Sequence, residues 1–295
     1  MSFGMQAATL VAIALPFLGL VGAVGSFWGH GLSWAEPVLL AGMYVTTMLG
    51  VTVGYHRLFT HRSFRTNAAV KFILAALGSM TVQGPLFQWV ATHRRHHQFS
   101  DLPDDPHTPH GHGRGIFGLL RGLWHSHLGW IFDSNPPGLS RYVADLQQSR
   151  SLRVANAMFF VWVFAGVLIP AAIGGLVAGT WTGAWFGLIW GGLVRIFLAH
   201  HVTWCVNSVC HLWGRRPFQS EDHSRNNIVF GILALGEGWH NTHHAFPTSA
   251  RHGLRWWQFD LSYWVIRGLV RLRLAWDVRL PAESALAGLR SAASS

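Results

Sequence analysis

Three stretches of this chain carry no charged side chain over lengths that restrict the fold more than any other feature. Residues 7–29, 37–55 and 154–194 contain no Asp, Glu, Lys or Arg. A helix of about 20 apolar residues spans the ~30 Å of bilayer hydrocarbon. The first two stretches fit one crossing each. The third is about twice the length one helix needs, so it reads as two helices joined by a tight turn between Gly174, Gly175 and Gly183. No Lys or Arg precedes the first stretch, which argues against a cleaved leader. The expected class is therefore an all-α integral membrane protein with four transmembrane helices, roughly 7–29, 36–56, 154–175 and 182–206. Residues 72–92 are also uncharged, but Gln83, Gly84 and Pro85 interrupt them, and proline breaks a helical ladder. A re-entrant or interfacial helix over roughly 70–90 is expected there.

Charge placement orients the spans. Only 12% of residues are charged, against about 25% in soluble domains. All 22 Lys and Arg lie at or beyond Arg57, and all but Arg195 fall within 57–153, 215–225 and 251–290. The charge-free loops at Gly29–Trp34 and around Gly179 are then external, and the basic blocks and both termini cytosolic, at the inner membrane in a prokaryote. A single domain over 1–295 results, its cytosolic cap formed by 57–153 and 207–295. Residues 264–274, with Arg267, Arg271 and Arg273, read as an interfacial or packed helix. Topology accounts for the net charge of +10, so no nucleic-acid partner is required. Arg195, alone at membrane depth, calls for a functional role. Cys205 and Cys210 read as reduced packing residues with no disulfide framework.

Nineteen histidines are present, and their grouping matters more than their number. His56 and His61 sit in HRLFTH at the cytosolic end of the second span. His93, His96 and His97 sit in HRRHH, and His240, His243 and His244 in HNTHH. Spacings of three and four lie on one helix face, so each of these two motifs can aim three imidazoles at one point. A spacing of five does not stack on a regular helix and suits a helix end. Asn207 and His211, four apart near the end of the fourth span, face the same way. Four crossings put all four motifs on one side of the membrane; a crossing at 72–92 would strand HRRHH on the other. Neutral imidazole binds Fe, Zn, Cu and Ni alike, and nine imidazoles exceed the needs of one ion, which implies two.

The stretches GVTVGYHRLFTHRSF (50–64), WVATHRRHHQFSD (89–101), DPH (105–107), SHLGW (126–130), TWCVNSVCH (203–211) and GEGWHNTHHAFP (236–247) resemble the membrane fatty-acid desaturase family, particularly its acyl-CoA Δ9 (stearoyl-CoA) branch. The resemblance implies a centre of two Fe2+ ions held by His56, His61, His93, His96, His97, His211, His240, His243 and His244, with Asn207 joined through a water. It also implies a bent substrate tunnel, with Gln83, Trp89, Thr203 and Trp204 at the bend. The activity implied is O2-dependent insertion of a cis double bond, at Δ9, into a long saturated acyl chain. Carriers within the family are coenzyme A, acyl-carrier protein and membrane lipid. Electrons would come from a separate donor such as ferredoxin, or a cytochrome with its reductase. Related histidine-box enzymes hydroxylate alkanes or form terminal alkenes by decarboxylation. Gly84 replaces the Asn found beside the bend in animal enzymes, so their head-group contacts do not carry over.

Several residues take roles beside this set. Metal-bound histidines usually donate their second N–H to a carboxylate or carbonyl, and Glu237, Asp101, Asp105, Glu221 and Asp222 flank the motifs. Glu237, three before His240, shares its helix face. His107 reads as a loop-folding residue, and His110 and His112 as surface residues. His125, His127, His200, His201, His223 and His252 read as packing or hydrogen-bonding residues. Tyr44, Met48 and Thr52 form a stripe on the second span that would close the tunnel, with Tyr44 or Met48 limiting chain length. Arg57, Arg62, Lys71, Arg215 and Arg216 are candidates for phosphate or head-group binding. Removing hydrogens from unactivated methylenes is beyond side-chain acids and bases, so the metal must supply the chemistry. A metal transporter or sensor would thread polar residues through the spans, which are almost wholly apolar.

Overall fold

The computed structural model describes residues 3–31, 33–133 and 138–291. Leu32, in the loop expected outside, lies beyond the described residues. Four helices are long and apolar enough to cross a membrane: Phe3–Ser26, Ala35–Thr60, Phe159–Ala178 and Trp181–His211. The first lies in α1 (Phe3–His30). The second is α2 (Ala35–Leu49), continued without a break as a π-helix over Gly50–Thr60.

The element expected over 70–90 is two helices. α3 (Ala68–Ser79) starts at Asn67, whose side chain accepts from Val70 N–H at 2.9 Å. Met80–Pro85 form an elbow with Val82 and Gly84 at positive φ, and α4 (Leu86–Phe99) carries HRRHH away from it. α3 crosses the π-helix at backbone contact, where a Cβ on Gly50 would fall 2.1 Å from the Gly78 nitrogen. Small residues allow such an approach between apolar helices.

In the cap, α5 (Gly115–His127), α6 (Ala144–Gln147) and α7 (Arg150–Ala157) precede the third span, α8 (Phe159–Ala178). This span begins five residues later than expected because the chain breaks at Met158, and α7 packs separately on α3. The turn to the fourth span is at Gly179, with φ of 65°. Gly174 and Gly183 lie inside helices instead, and a Cβ on Gly174 would come within 2.4 Å of the Gly183 oxygen. The fourth span runs through α9 (Trp181–Gly187), a π-helix over Leu188–Val194, and α10 (Arg195–Ser208).

Short helices complete the cap: α11 (Ile228–Leu233), α12 (His240–Ala245), α13 (Leu261–Arg271) and α14 (Glu283–Ser291). The fold is mostly helical but not purely so. Strand β1 (Arg65–Thr66) pairs antiparallel with β2 (Ala275–Trp276), tying the end of the chain to the segment after HRLFTH. α13 packs on the π-helix of the second span, and Ser262 Oγ donates to Thr52 Oγ1 at 2.7 Å.

Arg195 is fully buried, and its partners are backbone carbonyls. It donates to Gly191 O at 3.1 Å, Met80 O at 2.5 Å and Gly166 O at 2.6 Å, fastening the elbow to the third and fourth spans. A fully buried guanidinium is tolerable because three carbonyls replace its water.

Candidate active site

The π-helix explains the five-residue spacing of HRLFTH. In a π-turn residue i+5 bonds back to residue i, and His61 N–H donates to His56 O at 3.1 Å. The segment does end at His61, but its last turns are π-wound, which brings the two rings to 4.7 Å.

The other two motifs do not aim all three imidazoles at one point. His56, His61, His93, His97 and His243 form one group, and His96, His211, His240 and His244 a second. The ring nitrogens within each group lie within 4.8 Å of one another. Residues four apart on a helix diverge by only about 40°, whereas successive residues diverge by about 100°. So His93 and His97 turn one way on α4 while His96 turns the other. On α12, His240 and His244 pair, and His243 faces the opposite group. His211 ends the short helical turn that follows α10.

Carboxylates hold one edge of these rings. His96 Nδ1–H donates to Asp105 at 2.9 Å, His211 Nδ1–H to Asp101 at 2.9 Å, and His244 Nδ1–H to Asp222. His56 Nδ1 lies 2.7 Å from Glu237 Oε2. Glu237 precedes α12 in a turn, so it reaches His56 and not His240. Glu221 is exposed and serves no ring.

Donation through Nδ1 leaves Nε2 of His56 and His211 as bare lone pairs, which face Nε2 of His243 at 3.1 Å and of His240 at 3.0 Å; Nε2 of His97 and His243 meet at 2.9 Å. Nε2 of His61 and of His244 are buried with no hydrogen-bond partner. Converging lone pairs repel unless a cation sits between them. With imidazole nitrogens about 2.1 Å from a metal, donors around one ion lie at most about 4.2 Å apart, close to the 4.8 Å within which each group already gathers.

Protonation states agree with this. Burial, reinforced by neighbouring imidazoles, holds His93, His97, His240 and His243 well below the usual histidine range, in the neutral ligand form. Burial pushes Asp101, Asp105 and Asp222 up, but hydrogen bonds and charge from His211, His96 and His244 outweigh it and keep them ionised. Glu237 is likewise pushed up by burial, but held well below its usual range by Arg57 and His56. Arg57 is fully buried between Glu237 at 3.1 Å and Asp260 at 2.9 Å, and it cancels one of their charges. Asp101, Asp105, Asp222, Glu237 and Asp260, offset by Arg57, thus leave a net four negative charges beside the clusters, the counter-charge of two divalent cations.

A cavity of about 1110 Å³ reaches His56, His93, His240 and Asn207. Gln83 Nε2 donates to Thr203 Oγ1 at 3.0 Å, and Trp89 Nε1 donates to Gln83 Oε1 at 3.2 Å, so the elbow and α10 are joined across its wall. Trp89 stacks on His93 with ring centres 5.0 Å apart, and Trp204 is buried. Met48 and Thr52 line the cavity with Val51. Tyr44 does not; its hydroxyl donates to Leu233 O at 2.7 Å.

The expected phosphate binders are otherwise placed. Arg57 is internal, Arg62 pairs with Asp145 at 2.7 Å, Arg216 is bound to backbone carbonyls of Ser220 and Asp222, and none of the five lines the cavity. Arg94 closes a bidentate pair with the same Asp145.

Of the remaining histidines, His107 is buried against His96, and His110 and His112 are half-buried, so they are not plain surface groups. His110 reaches His211 O at 3.3 Å, and its ring lies against that of His223. His127 bonds His201 at 3.0 Å and Ser208 at 3.2 Å. His125 lies against His112, and His200 against Trp204. His252 lies 3.1 Å from Glu237, in a buried group with His56. Sequence reasoning missed His252 and Asp260 as supports of the first motif. Nothing local marks them, since their partner Arg57 lies about two hundred residues earlier.

Two buried imidazole clusters, buttressed by carboxylates and reached by one cavity beside four long apolar helices, form a candidate two-metal centre. The chain belongs to the fatty acid desaturase family, whose model matches residues 32–277. It is 46% identical over 269 residues to the hex-5-enoyl-[acyl-carrier protein] acetylenase of Moorena producens, covering 90% of this chain and 84% of that protein. It is 37% identical to the sn-1 stearoyl-lipid 9-desaturase of Synechocystis sp., over 90% and 78% of the two chains. The acyl-CoA C20 Delta5-desaturase of Anemone leveillei is 35% identical, over 90% and 81%.

Proposed function

We propose that this protein is a membrane-embedded, O2-dependent fatty acyl desaturase that places a cis double bond at Δ9 of a saturated chain, using two iron ions and an external electron donor. One observation carries the reading: all nine motif histidines gather into two clusters, each with its ring nitrogens within 4.8 Å of one another. His56, His61, His93, His97 and His243 would hold one iron. His96, His211, His240 and His244 would hold the other, with Asn207 on the cavity wall positioning a water beside it. When bound, the iron pair supplies the oxidising power that removes hydrogens from unactivated methylenes.

The chain's own residues do the rest. Glu237, Asp101, Asp105 and Asp222 orient the rings and neutralise the cations. Trp89, Gln83 and Thr203 form a rigid wall against which the reacting carbons are placed, and Met48 closes the far end. Such placement is what selects one pair of carbons. The Δ9 position draws on the stearoyl-lipid 9-desaturases among the relatives.

Membrane placement follows the charges. The ends of the second and fourth spans, bearing His61 and His211, meet at one site, so all motifs share one side, and the basic blocks assign it to the cytosol. Ferredoxin, or a cytochrome with its reductase, would deliver electrons there.

Expression in a host of known lipid composition, with double-bond positions mapped by mass spectrometry, tests the reading. New Δ9 cis-monounsaturated chains are expected. An added oxygen, or loss of CO2, would instead indicate a hydroxylase or an alkene-forming decarboxylase. The 46% identical acetylenase supports a second reading, in which an existing double bond is dehydrogenated further; a triple bond in the same spectra would establish it.

A further inference from the structure

The acyl carrier is legible in the mouth of the cavity. Resting on the desaturase reading, we propose that the enzyme takes its chain sideways from the bilayer, as the ester of an uncharged, hydroxyl-bearing glycerolipid, and not as a coenzyme A thioester.

The first observation is where the cavity opens. Its wall includes Met5 and Ala12 of α1 and Phe160 and Val163 of α8, the opening turns of two spans that start on the same side of the membrane. α1 packs against the fourth span, while α8 packs against α3 and the fourth span. The cavity passes between their first turns, and Met5 and Phe160 are themselves 50% and 68% exposed. A gap with apolar, exposed walls at the edge of the hydrocarbon faces acyl chains and not water.

The second observation is charge. Among the described residues, Arg95 is the sole Lys or Arg lining the cavity, and its guanidinium is bound by Asp104 O at 3.0 Å and Asp104 Oδ1 at 3.1 Å. The same lining carries Asp104, Asp133, Gln88 and Asn156. A polyphosphorylated nucleotide needs several free cations, preferably bidentate arginines. This lining offers no free Lys or Arg and presents carboxylates, which repel phosphate. The same carboxylates and amides are good partners for hydroxyl groups. Polar, uncharged head groups at the rim and a chain lying between α1 and α8 satisfy both observations.

The test uses the full chain, loaded with iron and supplied with a reductant, in lipid nanodiscs. Stearoyl chains are offered as a neutral glycolipid, as phosphatidylglycerol, as stearoyl-CoA and as stearoyl-acyl-carrier protein. The neutral lipid should be desaturated intact, about tenfold or more faster than the other three, a difference of ~1.4 kcal/mol per factor of ten. Faster conversion of either thioester, or equal conversion of the anionic lipid, would overturn the proposal while leaving the desaturase reading in place. No desaturation of any of the four by the iron-loaded protein would remove that reading, and this inference with it. Ala12→Trp should narrow the lateral gap and cut turnover of the neutral lipid about tenfold with iron content unchanged. Undiminished turnover would refute the lateral route. The carrier comparison on the unaltered protein decides the matter if that variant does not fold.

Discussion

Glu237→Gln separates the two proposed iron sites. The substitution keeps the side chain's volume but removes the charge that lies 2.7 Å from His56, 3.1 Å from His252 and 3.1 Å from Arg57. A carboxamide has one acceptor oxygen, so its NH2 must confront either the arginine or a histidine ring. Removing one partner of a buried ion pair costs about 3 to 5 kcal/mol. Arg57 keeps Asp260 at 2.9 Å, so the loss of stability should sit at the low end of that range. The effect on metal should be sharper. Loss of a carboxylate that orients a ligand histidine weakens metal binding about 10- to 100-fold, or about 1.4 to 2.8 kcal/mol. Only the five-histidine cluster touches Glu237, so titration against a chelator should show one iron bound as in the unaltered protein and one bound more weakly. Asp222→Asn should show the converse, because Asp222 holds His244 of the other cluster. Two unchanged affinities, or weakening of the four-histidine site by Glu237→Gln, would refute the assignment of carboxylates to clusters.

Other perturbations separate structural from chemical roles. Met48→Ala, on the cavity wall, should lengthen the chains accepted, whereas Tyr44→Phe should leave the product profile unchanged and cost about 0.5 to 1.5 kcal/mol for its lost bond to Leu233; lipid analysis and thermal melting in detergent check both. Arg195→Met leaves the carbonyls of Met80, Gly166 and Gly191 without their partner, at about 1 to 3 kcal/mol each, and should sharply lower the melting temperature. Arg195→Lys should not restore it, because an ammonium lacks the fork that spans three helices. Burial raises the pKa of Asp145, but Arg94 and Arg62 outweigh it and hold the group below the usual carboxylate range. Its contribution is therefore present above that range and disappears as pH falls through the depressed value. Asp145→Asn should cost about 1 kcal/mol at neutral pH, and the difference from the unaltered protein should vanish in acid melts.

Much of the site could be read from the chain because its information is local. Helical spacing alone sets His93, His96 and His97 on neighbouring turns of one helix, and absent charge alone marks the apolar helices. What spacing did not reveal is the division of the histidines, since that depends on which way α4 and α12 face each other. The π-winding of 50–60 was also hidden: it arises from packing on α3 and α13, and only the odd five-residue interval hinted at it. Arg57 and Arg195 were misjudged for a related reason. A lone cation in a sequence looks like a surface group or a substrate binder, while the carbonyls and carboxylates that swallow it come from segments far along the chain.

The lock on Arg57 also dictates an order of events at the ribosome. Arg57 donates to the carbonyl of Ala250, 193 residues downstream, and Arg279 N–H in turn bonds Ser63 O at 2.8 Å. At about 5 to 20 residues per second, His56 and Arg57 are made roughly 10 to 40 s before the segment that encloses them. For most of that interval the arginine has neither of its acidic partners, Glu237 and Asp260. The surroundings of the first motif are therefore completed only after the C-terminal third has been made, and the site assembles late in synthesis.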